Sequence, residues 1–163
     1  MRVYLAQHGL AKEKSEDAGR PLSAQGRADV ARVAGFLALF EKPAPERIIH
    51  SGKLRAEQTA EIFAGKWGNL PTEHGPDIAP DSDPSIWSAR LASMSSDLML
   101  VGHLPHMQRL AGLLLSDDGE REVVHFSNGG VVCLERSERG WSVCWQVNPA
   151  LFYGEQVSDH RAG

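Results

Sequence analysis

Cysteine is nearly absent from this chain: two residues in 163, Cys133 and Cys144. That is too few for a disulfide framework or a cysteine-based zinc site. No apolar run approaches the roughly 18 residues of a membrane span. No basic segment leads into a long apolar stretch at the N-terminus, so no signal peptide is expected. Positive charge is not in excess either. Lys and Arg number 17 against 21 Asp and Glu, a net charge of −4, which leaves no basic face for nucleic acid. Repeats and low-complexity tracts are missing as well. What remains, 42% hydrophobic and 23% charged, is an ordinary globular composition. The length suits one domain over residues 1–163 with a proper core. A cytoplasmic protein bound to neither membrane nor nucleic acid is expected. The cysteines fall in two apolar segments, Gly130–Leu134 and Trp141–Val147, separated by the polar turn Ser137-Glu138-Arg139-Gly140. A hairpin there would set them opposite one another. In a reducing cytoplasm two free, half-buried thiols are expected rather than a disulfide.

The chain then reads as alternating strands and helices. Val3–Ala6 is a short apolar run suited to a strand buried on both faces, and it stops at Gln7-His8-Gly9. Gly9 is expected to let the backbone turn and a ligand come close. A polar loop over residues 10–20 follows, long enough to fold over a site. Ser23 is a good N-cap for a helix whose apolar face is Val30, Val33, Leu37 and Phe40, ended by Pro43 and Pro45. Residues 46–51 form a second strand. Gly52 to Trp67 is a second helix, packed through Ala56, Ala60, Phe63 and Trp67. Residues 70–85 hold at most one short strand among loops. Pro84–Met94 is a helix carrying Ile86, Trp87 and Leu91. Residues 97–101 are the clearest buried strand, followed by Gly102-His103-Leu104-Pro105 and an apolar helix through Leu115, with Pro105 suited to the first helical position. A further strand near Val123–Phe126 precedes the hairpin, and the tail from Ser158 is expected to fray. This alternation predicts an α/β fold, a three-layer αβα sandwich. Its sheet is mostly parallel, with helices on both faces and a late antiparallel edge hairpin.

Three strand-to-helix junctions carry chemistry: His8, Arg55 and His103. In a parallel sheet all three share the edge where ligands bind. Arg55 falls in a helix first turn, where a cation opposes the helix dipole, so an anion held at that helix N-terminus would explain it. Two histidines and an arginine suit a tetrahedral anion better than a metal, and no HExxH spacing exists. For phosphate the chemistry is direct. A neutral imidazole is a competent nucleophile toward phosphorus, and a guanidinium with a protonated second imidazole stabilises the equatorial oxygens.

The same residues resemble the motifs of the histidine phosphatase (phosphoglycerate mutase-like) superfamily, and most closely its SixA-type phosphohistidine phosphatases. Gln7-His8-Gly9 stands for the family's Arg-His-Gly. Arg20-Pro21-Leu22-Ser23 with Gly26, Ser51 with Leu54-Arg55-Ala56-Glu57-Gln58-Thr59-Ala60, and Gly102-His103-Leu104-Pro105 follow in order along nearly the whole chain. The resemblance implies that His8 is the nucleophile, transiently phosphorylated, with Arg55 and His103 on the phosphoryl group. Gln7, Gly9, Arg20, Ser51 and Leu104 would complete the phosphate site. It implies no metal and no cofactor. The partner would be a phosphohistidine-bearing protein, such as a phosphotransfer domain, or a small phosphorylated substrate.

Two departures stand out. Gln7 replaces the motif arginine and brings neither charge nor bidentate fork. One lost charge-assisted contact costs roughly 1.5–3 kcal/mol, so a slow enzyme or a phosphate-binding regulatory protein is an alternative. Gly52 also stands where proline is usual. The middle region offers only Asp77, Asp81 and Asp83 as acids, in no recognisable motif. Imidazole, with a pKa near neutrality, can leave protonated without such an acid, whereas an alcohol cannot, so an N–P substrate is favoured over a sugar phosphate. Of the other histidines, His50 is expected at a strand end and His106 in a helix first turn near the site, while His74, His125 and His160 have no nameable partner. Trp67, Trp87, Trp141 and Trp145 read as packing, and Asn128-Gly129-Gly130 as a turn.

Overall fold

The computed structural model describes residues 1–154; the tail from Ser158, with His160, lies outside the described residues. A six-stranded sheet forms the middle layer in the order β3-β2-β4-β1-β5-β6. Its strands are β1 (Arg2–Gln7), β2 (Ile48–His50), β3 (Thr72–His74), β4 (Leu98–Gly102), β5 (Val131–Ser137) and β6 (Gly140–Val147). The first four pair in parallel, β2 with β3 and β4, and β4 with β1. The hairpin of β5 and β6 joins antiparallel, with β5 directly against β1. The expected architecture is therefore observed, with the hairpin filling the flank of β1.

Period-two alternation builds the three layers. Tyr4 and Ala6, Met99 and Val101, and Val131 and Cys133 face α1 (Ala24–Phe40) and α2 (Leu54–Lys66) through Val33, Leu37, Ala60 and Phe63. The intervening Val3, Leu5, Leu98, Leu100, Val132 and Leu134 face α3 (Pro84–Ser93) and α4 (His106–Ser116) through Trp87, Leu91, Met107 and Leu110. Both faces of β1 and β4 are thus buried, which is why their sequences are continuously apolar. Ser23 caps α1 by accepting from the Gly26 N–H, as its sequence position predicts. Asp83 caps α3 in the same way through Ser85.

Several local expectations are corrected. Phe40 is 69% exposed, because the last turn of α1 runs past the sheet. Its ring instead meets Phe36 at 4.7 Å. Ile86 is exposed while Trp87 and Leu91 carry the buried face of α3. Pro105 sits at the cap position, just before the first helical residue of α4. Residues 123–126 are irregular, not a strand: β1 has one free flank, which β5 occupies, and Val124 and Phe126 are buried as single plugs. A β-bulge between Cys133 and Leu134 also shifts the hairpin register, so Cys133 faces Trp145 and Leu134 faces Val143. Cys144 is the extra residue. Both thiols are free, Cys133 buried and Cys144 exposed, with Cys144 beside Cys133 but out of register with it. Burial pushes the Cys133 thiol up to about 12, so it stays protonated.

Candidate active site

The C-terminal ends of β1, β2 and β4 deliver His8, Ser51 and His103 to one edge of the sheet, and the first turn of α2 delivers Arg55. The His8 N–H donates to the Gly102 carbonyl at 3.0 Å, extending the β1–β4 ladder to the site itself. The rings of His8 and His103 are 4.8 Å apart, tilted by 57°. Arg55 Nε donates to His8 Nε2 at 3.1 Å. A guanidinium can only donate, so Nε2 must carry the lone pair. The proton then belongs on Nδ1, which lies 2.7 Å from the Gly9 carbonyl. One tautomer satisfies both contacts, and it leaves Nε2 as the nucleophilic nitrogen. His103 Nε2 meets Ser51 Oγ at 2.5 Å, while its Nδ1 is buried without a partner among the described residues.

Burial, opposed by the Gly9 carbonyl and aided by Arg55 and Arg20, pushes His8 down to about 4. Burial, with His8 and Arg55 next, pushes His103 down to about 3. Both imidazoles are therefore neutral at pH 7. The sequence expectation of a protonated second imidazole does not hold for the resting site, because no carboxylate accompanies His103 and Arg55 adds positive charge. A phosphate dianion would reverse that balance. The ring-proton NMR signals of His8 are expected to stay in the neutral position as pH falls through 6.5, the ordinary histidine value, and to shift only near about 4. A midpoint near 6.5 would mean that the ring is solvated.

Two residues that sequence reasoning did not single out hold this geometry. The peptide unit between His8 and Gly9 is gripped at both ends. Its N–H donates to Thr59 Oγ1 at 3.0 Å. Its carbonyl accepts from Asn128 Nδ2 at 3.0 Å and from the Gly129 N–H at 3.2 Å. Thr59 in turn donates to the Arg55 carbonyl at 2.7 Å, coupling the guanidinium-bearing turn to the strand end. A fully buried threonine on the packed face of an otherwise apolar helix was the available signal for Thr59. For Asn128, whose turn in sequence terms only approaches the site, the pairing is long-range and no local pattern reports it.

Gly9 has a different role from the one expected. Its φ is not positive, and the space beside it is filled. A Cβ there would lie 2.7 Å from Val30 Cγ2 and 3.1 Å from the Gly26 carbonyl. The close approach is that of α1, not of a ligand. Arg20 donates to the Lys12 carbonyl at 3.2 Å, and its charge reaches both His8 and Arg55. Gln7 keeps its side-chain oxygen buried and unpartnered among the described residues. The Leu104 side chain packs on the core beside α4, so only its place next to His103 links it to the site.

Of the remaining histidines, His50 ends β2 as expected. His106 is fully buried, and among the described residues its ring nitrogens have no hydrogen-bond partner beyond the nearby Asp77 backbone. His125 lies 3.9 Å from Glu122 on the surface. His74 faces His50, with ring centroids 6.3 Å apart. Two of the three acids of the middle region have structural work: Asp77 pairs with Arg90 at 2.6 Å and Asp83 caps α3. Among the described residues no group of three or more His, Cys, Asp or Glu side chains is arranged to hold a metal ion, and no helix is long and apolar enough to cross a membrane.

The family profile of the histidine phosphatase superfamily (branch 1) matches residues 3–79. The phosphohistidine phosphatase SixA of Escherichia coli (strain K12) is 30% identical over 159 residues, covering 91% of this chain and 94% of that protein. The chain belongs to the histidine phosphatase superfamily. Among solved members, the protein histidine phosphatase SixA complexed with tungstate superposes with a TM-score of 0.79 at 27% identity, covering 93% of this chain and 99% of the other. A SixA from Agrobacterium tumefaciens, described as a putative phosphohistidine phosphatase, shares the fold at a TM-score of 0.75 and 22% identity, covering 91% and 97%. As a histidine phosphatase, the chain departs from the superfamily's Arg-His-Gly only where Gln7 stands in the first motif.

Proposed function

We propose that this histidine phosphatase removes phosphate from a phosphohistidine of a protein, through a covalent intermediate on His8 and without a metal or cofactor. The observation that carries the reading is the single tautomer of His8. Its Nε2 lone pair is presented beside a guanidinium and a second neutral imidazole. In the first step the Arg55 N–H passes from His8 Nε2 to a phosphoryl oxygen, the freed Nε2 lone pair bonds to phosphorus while the substrate's N–P bond breaks, and the departing imidazole takes a proton from solvent. Water then cleaves the His8–phosphorus bond, giving phosphate and neutral His8. Arg55 and His103, with Arg20 from the loop, would neutralise the equatorial oxygens. Ser51 would orient His103 and Gln7 would flank His8, while Gly9 and Leu104 serve the site through the backbone next to His8 and His103. The structural pairings of Asp77 and Asp83 support a leaving group that takes no proton from either of them.

The similarity to SixA of Escherichia coli supports the same substrate class. One observation favours a second reading, a phosphate-binding regulator with little turnover: the uncharged Gln7 in place of arginine, its oxygen unpartnered. Phosphate release decides between them. A phosphohistidine-bearing carrier protein is expected to be hydrolysed faster than a phosphosugar, and the rate is expected to survive dialysis against EDTA. Phosphate binding without release from either substrate would establish the regulator. Faster turnover of the phosphosugar would overturn the N–P preference.

A further inference from the structure

Beside the paired imidazoles, on the far side of Ser51, lies a cavity of about 410 Å³ that the phosphoryl chemistry does not use. Its walls are His50, Gly52, Lys53, Glu57, His74 and Ala79, and Ser51 is shared with the reaction centre. The volume falls within the roughly 300–1,000 Å³ of ligand pockets, more than a phosphate group needs. The cavity between residues 46–47 and 93–98, by comparison, is about 240 Å³.

The backbone is shaped to make this wall. Gly52 has a φ of +77°, and a Cβ on it would lie 2.8 Å from two atoms of the His74 ring. A side chain there would push His74 off the wall. Proline is excluded twice, by that φ and by the Gly52 N–H, which donates to His50 Nδ1 at 3.2 Å. That bond also fixes the neutral His50 ring with its proton on Nε2. Lys53 and Glu57 form no ion pair among the described residues. The cavity therefore offers donors from Lys53 and His50 and an acceptor from Glu57, all unspent by the fold. A second phosphate or another small anion would want donors alone, and Glu57 repels it. A peptide unit presents one N–H and one C=O, and the mixture matches that.

Given the phosphatase function above, we propose that this cavity is the docking site for the polypeptide segment flanking the substrate's phosphohistidine, with His74 a specificity-determining residue. The substrate then reaches His8 with its phosphoryl group while its neighbouring main chain lies past Ser51 against His74. A small N–P compound uses only the reaction centre.

The test compares two substrates, a phosphohistidine-bearing carrier protein and phosphoimidazole, for the unaltered protein, His74→Ala and Ala79→Trp. The second variant fills the cavity from a partly exposed position and removes no polar group. Both variants are expected to lose about tenfold in kcat/KM on the carrier, mostly through KM: with the wall removed or the cavity filled, the segment no longer sits where Lys53, His50 and Glu57 can reach it, which forfeits one or two hydrogen bonds. Both are expected to stay within about twofold on phosphoimidazole, the remaining contacts being unchanged. Parallel losses on both substrates, or no loss on the carrier from either variant, would overturn the docking site while leaving the phosphatase function standing. Failure of the unaltered protein to release phosphate from either substrate would overturn the function, and the docking site with it.

Discussion

His8→Ala is expected to lower phosphate release from a phosphohistidine carrier by roughly 10⁴-fold or more, the scale seen when a covalent nucleophile is removed. It is also expected to abolish any phospho-enzyme trapped by an alkaline quench, in which an N–P bond survives, and lost again on acidification. No neighbouring group can take over. Among the described residues the other imidazole at the centre is His103, whose Nε2 is engaged by Ser51 at 2.5 Å and whose Nδ1 is buried. The substitution also removes one of the influences that push His103 down, so the His103 pKa is expected to rise in the variant. Folding is checked by the amide spectrum and by circular dichroism. The pairing of β1 with β4 and β5 uses the backbone alone and should persist. Retention of more than about one percent of turnover would be too much for a lost covalent nucleophile and would exclude the intermediate on His8.

Arg55→Ala is expected to lose roughly 10²- to 10³-fold in kcat/KM, the sum of one or two charge-assisted contacts to a transferring phosphoryl group. Arg55→Lys should recover part of that loss, since it restores the charge but not the planar fork. A second readout separates catalysis from structure. Arg55 is one of the groups that push His8 down toward about 4, so in Arg55→Ala the His8 titration should move up toward its ordinary value of about 6.5. The direction follows from charge: without the nearby cation, the imidazolium form is less disfavoured. Burial is the larger cause and remains, so the return is expected to be partial. An unchanged His8 titration in this variant would mean that the guanidinium points elsewhere in solution. A loss below about fivefold would remove Arg55 from phosphate binding.

Glutamine at position 7 matters to both experiments. With one guanidinium fewer than the motif implies, Arg55, the loop residue Arg20 and Lys53, whose charge reaches His103, carry the site's positive charge. Arg20 donates to the Lys12 carbonyl within the same loop, and its charge is felt at both His8 and Arg55.

Sequence alone determined the layers and the edge on which the site lies. Apolar runs at residues 3–6 and 98–101, each ending in glycine and histidine, could be satisfied only by burial on both sheet faces. Strand-to-helix order then placed His8, Arg55 and His103 together by topology. Ser23 as a cap and the packed face of α2 were equally legible, because capping and helical periodicity are local. Tertiary structure alone decided the rest. The neutral state of His103 depends on which charges surround a buried ring. The grip on the His8–Gly9 peptide depends on Thr59 and Asn128, 50 and 120 residues away from their partners in the chain. The bulge that pairs Cys133 with Trp145 and leaves Cys144 as the extra residue beside it depends on how two strands count against each other. The cavity at His74 exists because an edge strand carries an imidazole into the space left by Gly52. Each of these is a long-range contact or a local dielectric, and neither leaves a periodic trace in the residues that make it.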